Sequence, residues 1–382
     1  ENLKLAPHHP DLPVIRKNYA KYQDAVRQMD TLVGRNLDAL RDAGLQKNTI
    51  VIYNSDHGGV LPRSKRFLLD SGIHCPLVIR IPPAFQSLYP SDNPGDTVGR
   101  IVSFIDLPKT WLSLAHAAIP DVMQGRIFLG PHQEPSRAFA VAYRDRMDER
   151  YDAARAIRDK RYLYIRHLMP YVPRGQYLAY LWRAPAAGAW QAHHREGKTN
   201  AITGRFFRPK PTEELYDTWH DPHSIHNLAE KPKYQKILAA MRDDLRQWQL
   251  QHFDAGLLPE SEMVYRAAQN KMTIYEMIRN PQLYPLERLL DASDLALQRE
   301  ADVDLDQLIA LLGDADSGIR YWGCVGLFRL GMGSRGQKDL LNQLLKDPSD
   351  EVVAMAAWTL YNLGDEQVAR DRLRGLLEDN SR

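Results

Sequence analysis

Thr49 to Pro76 reads T-I-V-I-Y-N-S-D-H-G-G-V-L-P-R-S-K-R-F-L-L-D-S-G-I-H-C-P. A β-branched and aromatic run, Thr49 to Tyr53, ends just before Asp56 and His57; two glycines follow, and then Lys65. The run is too continuous to be half exposed. It therefore reads as a central strand of a parallel sheet, with P-L-V-I-R-I at Pro76 to Ile81 as a second strand. Ahead of it, Tyr22, Val26, Met29, Val33, Leu37 and Leu40 recur every three or four residues between Val14 and Ala43. That spacing is one face of a long amphipathic helix, and Gly44 supplies its C-terminal stop. Helix, strand, loop and strand in this order give an α/β layer.

Open α/β sheets bind ligands at the carboxyl ends of their strands, where Asp56 and His57 stand. A carboxylate and an imidazole side by side can ligate one cation: oxygen suits hard divalent ions, and the ring also admits softer metals. Lys65 adds a compact positive charge suited to an oxyanion. Together these groups could offset the charge that builds on a sulfate or phosphate ester in its transition state. On residue types alone, a plain Asp-His-Gly turn accounts for the same letters.

The 382 residues are 44% hydrophobic and 26% charged, enough for one large core or two smaller ones. A net charge of +2 gives no electrostatic reason to expect nucleic acid as a partner. No apolar run approaches the roughly 18 residues that span a bilayer, so no membrane segment is expected. Cys75 and Cys324 lie far apart in apolar contexts and read as buried thiols. Val102 to Ala117 suggests a helix, and Tyr234 to Phe253 another. Strand-like Ala138 to Tyr143 and Tyr162 to Ile165 flank a charged segment, Arg144 to Lys160. There Arg144, Asp145, Arg146 and Glu149 are either substrate contacts or a solvated loop. His8 and His9, before Pro10, read as exposed loop histidines.

After about Asp254 the pattern changes. Leu311 to Gly331 can be laid over Leu344 to Gly364 at an offset of 33 residues, 344 minus 311. Trp322 then falls on Met355 and Leu327 on Leu360. Two helices around an Asp-containing turn, repeated, resemble HEAT units, which must stack to bury their apolar faces. The expected division is 1–254 for the α/β part, 255–284 for a linker or helical segment, and 285–382 for the repeats, whose surface could take a protein partner.

The order S-D-H-G, then Lys65, then L-D-S-G-I-H-C-P-L-V-I-R-I-P resembles the second conserved block of the type I sulfatases. V-S-F-I-D-L-P-K-T-W-L-S-L-A and E-E-L-Y-D-T-W-H-D-P-H-S-I-H-N-L-A continue the likeness, over roughly Asp11 to Asp254. The spacing V-L-P-R-S-K-R-F-L-L-D-S-G is nearest the heparan N-sulfatase-like branch. The resemblance implies an alkaline-phosphatase-like sheet sandwiched by helices and incomplete at its N-terminus, with the HEAT-like region as an all-α extension. It implies Ca2+ on Asp56 and His57, and a sulfate contact from Lys65. It also implies a formylglycine made from a Cys in C-x-P-x-R. Neither cysteine fits: Cys75 begins C-P-L-V-I-R, and Q-E-P-S-R at Gln133 to Arg137 has Gln at the cysteine position. The chain opens at Glu1 without Met, so the formylglycine nucleophile is expected in a missing N-terminal part. The implied activity is hydrolysis of a sulfuric ester or sulfamate on a sulfated carbohydrate or small sulfate ester, by a fragment inactive alone, in a periplasmic or secreted protein. The alternatives are a phosphonate or phosphodiester hydrolase of the same superfamily, or a non-catalytic scaffold using the repeats.

Overall fold

A computed structural model describes residues 3–378, so Glu1 and the chain's opening lie outside the described residues, as do 379–382. The chain divides into two compact units, Glu1–Met241 and Arg242–Arg382.

The first unit opens with α1 (Pro13–Asp42), whose proline sits in its first turn, where the missing N–H costs nothing. Then come β1 (Val51–Asn54), the single turn α2 (Asp70–Ile73), β2 (Leu77–Arg80) and α3 (Asp106–Leu114). A second sheet follows in simple antiparallel order: β3 (Ala140–Met147), β4 (Arg150–Arg158), β5 (Tyr162–His167) and β6 (Glu213–Asp217). Between β5 and β6 lie α4 (Ala179–Trp182) and α5 (Pro185–Arg195). The core packs Ala154, Ala156, Leu163 and Ile165 of this sheet against Trp190, Phe206, Leu178 and Ile15. Within it, the Trp190 and Phe206 rings stack with centroids 4.7 Å apart.

The parallel sheet expected around Thr49 to Tyr53 is not formed. β1 and β2 are antiparallel, in the register Val51↔Arg80 to Asn54↔Leu77, and make a two-stranded sheet. A parallel neighbour needs a crossover, usually a helix; the chain between these strands contains only α2 and otherwise folds on itself. Nor is the run fully buried: Ile52 is 37% and Val78 60% exposed. The α1 stripe is only partly covered: Val26 and Leu37 are exposed, Tyr22, Met29, Val33 and Leu40 are half-buried, and the helix's one buried residue among those described is Ile15.

Three further expectations are corrected. Arg144 to Lys160 is no solvated loop: most of it is β3 and β4, and Arg144, Asp152 and Arg155 are buried. Pairing makes this burial tolerable, because Arg155 meets Asp145 at 3.0 Å and Lys210 meets Asp152 at 2.7 Å. His8 and His9 are 4% and 5% exposed rather than loop surface. Cys324 is buried as expected, but Cys75 is half-buried, and both are free thiols.

α6 (Gln235–His252) carries the chain across the division between the units. The second unit is helical: α7 (Glu260–Gln269), α8 (Ile274–Met277), α9 (Leu286–Ala296), α10 (Leu305–Leu311), α11 (Ser317–Leu330), α12 (Lys338–Leu344), α13 (Asp350–Asn362) and α14 (Glu366–Glu378). The 33-residue register is visible in the packing. Trp322 and Met355 are both buried, and so are Leu327 and Leu360. Asp316 caps α11 through the N–H groups of Gly318 and Ile319, and Ser349 stands at the matching N-cap of α13. Glu262 of α7 accepts from the hydroxyls of Ser317, at 2.6 Å, and Ser349, at 3.0 Å. Glu262 thereby ties α7 to the N-terminal ends of α11 and α13.

Candidate functional site

The Asp-His-Gly-Gly loop leaves the carboxyl end of β1 and is held by its own backbone. Gly58 N–H donates to the carbonyl of Gly72 at 3.0 Å, and Lys65 N–H donates to the carbonyl of Gly59 at 3.2 Å. The first bond presses Asp-His-Gly against the Leu69-Asp70-Ser71-Gly72 segment so closely that a Cβ on Gly58 would lie 1.9 Å from the Ser71 carbonyl oxygen. Arg63 and Arg66 flank Lys65 in the left-handed region, at φ 71° and 80°. Non-glycine residues persist there only when their surroundings fix them, and such residues concentrate at functional sites. Arg63 is fixed by donating to the carbonyls of His223, at 2.9 Å, and Ser224, at 2.8 Å. Arg66 is fixed by an ion pair to Asp148 at 2.5 Å.

His57 bonds the carbonyl of Gly58 through Nδ1 at 2.8 Å. A carbonyl only accepts, so that nitrogen carries the hydrogen, and in the neutral tautomer the lone pair is on Nε2. That nitrogen faces Asp56 Oδ2 at 3.5 Å. The two side chains thus lie side by side at the solvent edge, and Asp56 is exposed. Two donors fall well short of a calcium shell, which takes about six to eight oxygen ligands. No group of three or more His, Cys, Asp or Glu side chains able to hold a metal ion occurs among the described residues.

Lys65 belongs to the same loop, but its side chain is turned toward α4, where Nζ donates to Tyr180 Oη at 3.4 Å. Its link to the Asp56–His57 end runs through the backbone. Asp70, in the next turn, is clamped by Arg158 Nε at 2.6 Å and His74 at 3.2 Å. Burial pushes its carboxyl up, but these bonds outweigh burial and hold it below the usual range. His74 is thereby occupied as a structural partner.

Two clusters escape a reading of the sequence. In one, the His9 ring bonds Tyr19 Oη at 2.7 Å and the Pro62 carbonyl at 2.9 Å, while Arg63 Nη1 meets His8 Nδ1 at 3.2 Å. Burial is the largest cause lowering both histidines; His9 falls to about 4, and His8 further. In the other, buried Glu214 binds Arg174 and, at 3.1 Å, His167 Nε2. Burial raises Glu214, but the Arg174 charge and the His167 bond bring it well below the carboxylate range. The signals were faint: a histidine pair before a proline, and a single histidine and a single glutamate from two different strands.

Residues 5–117 match the Sulfatase family, and residues 305–382 match HEAT repeats. An ulvan-active sulfatase of Formosa agariphila is 36% identical over 263 residues, 68% of this chain and 43% of that protein. The human N-sulphoglucosamine sulphohydrolase is 26% identical over 270 residues, 65% of this chain and 51% of that protein. A solved 2-O GAG sulfatase, BT1596, superposes with a TM-score of 0.45 at 21% identity, covering 66% of this chain and 53% of that one. The chain spans about half the length of the curated relatives it matches.

Proposed function

From a chain that carries a sulfatase-family segment over residues 5–117, we propose that its first unit is the Asp56–His57–Lys65 portion of a sulfuric ester hydrolase acting on a sulfated carbohydrate. The relatives are named as sulfatases, one ulvan-active and one an N-sulphoglucosamine sulphohydrolase. The observation that carries the reading is the loop itself. One backbone-locked turn carries a carboxylate and an imidazole 3.5 Å apart and, between two left-handed residues, a lysine.

In this reading Asp56 and His57 Nε2 hold a divalent cation, calcium by the family's habit, which when bound supplies positive charge to the sulfate oxygens. The Lys65 ammonium donates hydrogen bonds to a sulfate oxygen and offsets the charge that grows on it in the transition state. The remaining ligands and the nucleophile, a formylglycine, lie outside these 382 residues, because neither Cys75 nor Cys324 has the C-x-P-x-R context and Cys324 is buried, with its thiol pushed up by desolvation. The purified 382-residue chain, given calcium, is expected not to turn over 4-nitrophenyl sulfate. Turnover that survives Cys75→Ala and Cys324→Ala would overturn the placement of the nucleophile.

A further inference from the structure

We infer that Tyr180 is a positioning residue for Lys65, a role that rests on the reading of Lys65 as the oxyanion contact. A lysine has four rotatable side-chain bonds, and holding its ammonium at one point costs rotamer entropy unless something fixes it. Here Tyr180 does so in two ways: Oη accepts from Lys65 Nζ at 3.4 Å, and the ring centroid lies 5.0 Å from the same nitrogen. The ring is shared, since the Arg66 guanidinium lies 4.2 Å from its centroid. The two cations differ in what else they meet. Arg66 is neutralised by Asp148, whereas Lys65 has no carboxylate partner among the described residues. The charge left for an incoming anion is that of Lys65.

Tyr180 is itself held. The turn joining β3 to β4 anchors the entry to α4: Glu149 Oε1 accepts from the Ala179 N–H at 2.5 Å, and Arg150 Nε donates to the Tyr177 carbonyl at 2.7 Å. Leu178 and Leu181 are buried on either side, while Tyr180 is 41% exposed and faces outward. A partly buried helix turn and a charged hairpin thus hold one aromatic ring against Lys65 and Arg66.

The test is NMR of the whole 382-residue chain after reductive 13C-dimethylation of its lysines, which keeps their charge, with the Lys65 signal identified by its loss in Lys65→Arg. The Lys65 methyl signal should be displaced from that of exposed lysines, return to their position in Tyr180→Leu, and stay displaced in Tyr180→Phe. Inorganic sulfate should move that signal, and its apparent affinity should weaken about two- to fivefold in Tyr180→Leu, the factor expected of an exposed cation–π contact. Tyr180→Phe should recover most of this loss, whereas a merely structural role would leave sulfate affinity unmoved in both variants. An unshifted Lys65 signal, or one indifferent to Tyr180→Leu while the other lysine signals stay in place, overturns the inference. If the displacement pattern holds but sulfate leaves Lys65 unmoved in the parent chain, the oxyanion reading fails, and the positioning role fails with it.

Discussion

A methyl group at position 58 would overlap the Ser71 carbonyl oxygen at 1.9 Å, whereas one at position 34, inside α1, would meet nothing within 4 Å. Two substitutions of the same chemistry should therefore have opposite signs. Gly58→Ala should cost about 1–3 kcal/mol by overpacking and push Asp56 and His57 off the Gly72 segment. Gly34→Ala should gain about 0.5–1 kcal/mol by removing a helix glycine. Urea midpoints of the two variants measure this, and equal shifts of one sign would show that the loop is not backbone-locked. The Asp56, His57 and Lys65 candidates were legible because each residue type states its chemistry. Tyr180 was not, because its partner lies 115 positions away in the chain and nothing in the letters L-A-Y-L-W indicates which side chain faces a lysine.

At the scale of the element, what could be read was periodicity, and what could not was direction. The α1 spacing marked a helix that spans Pro13–Asp42, and the 33-residue offset matched positions that are buried together. The apolar letters of β1 and β2, by contrast, are the same whichever way the strands run; the 22-residue connection that folds back on itself decided for antiparallel pairing (54 to 77, exclusive). β4 was hidden because its arginines and aspartate mimic a solvated loop until their partners are seen on other elements. The repeat register makes a paired forecast. Leu327→Ala and Leu360→Ala, equivalent and buried, should each cost about 2–5 kcal/mol. In hydrogen exchange, amide protection should fall along α11 and α13 in both variants. Loss from one leucine only would mean that the two helical pairs are not equivalent units.

For the molecule as a whole, pH separates two sets of groups. His8, His9, His167, His194 and His223 are all lowered, with burial as the leading cause, so the unfolded chain binds their protons first. Stability is then complete above the unfolded histidine value of about 6.5 and declines as pH falls toward the His9 value of about 4. The paired carboxylates Asp70, Asp106, Glu214 and Asp217 are also lowered, and they hold their contribution until more acid pH; Asp217, bonded by Arg161, is near 2. Urea midpoints should therefore drop between pH 6.5 and 4, before those ion pairs titrate; a flat profile across that window would mean that the histidines are not held neutral.

That the Asp56–His57–Lys65 loop handles a sulfate ester is tested by hydrolysis of 4-nitrophenyl sulfate by the product of the complete reading frame, with Lys65→Ala and a 4-nitrophenyl phosphonate ester run alongside. The parent should turn over the sulfate ester, Lys65→Ala should lose about 10²–10³-fold in kcat, as for removal of one donor to a developing oxyanion, and the phosphonate should be turned over more slowly. Preference for the phosphonate ester, or sulfate turnover undiminished in Lys65→Ala, would contradict that role of the loop.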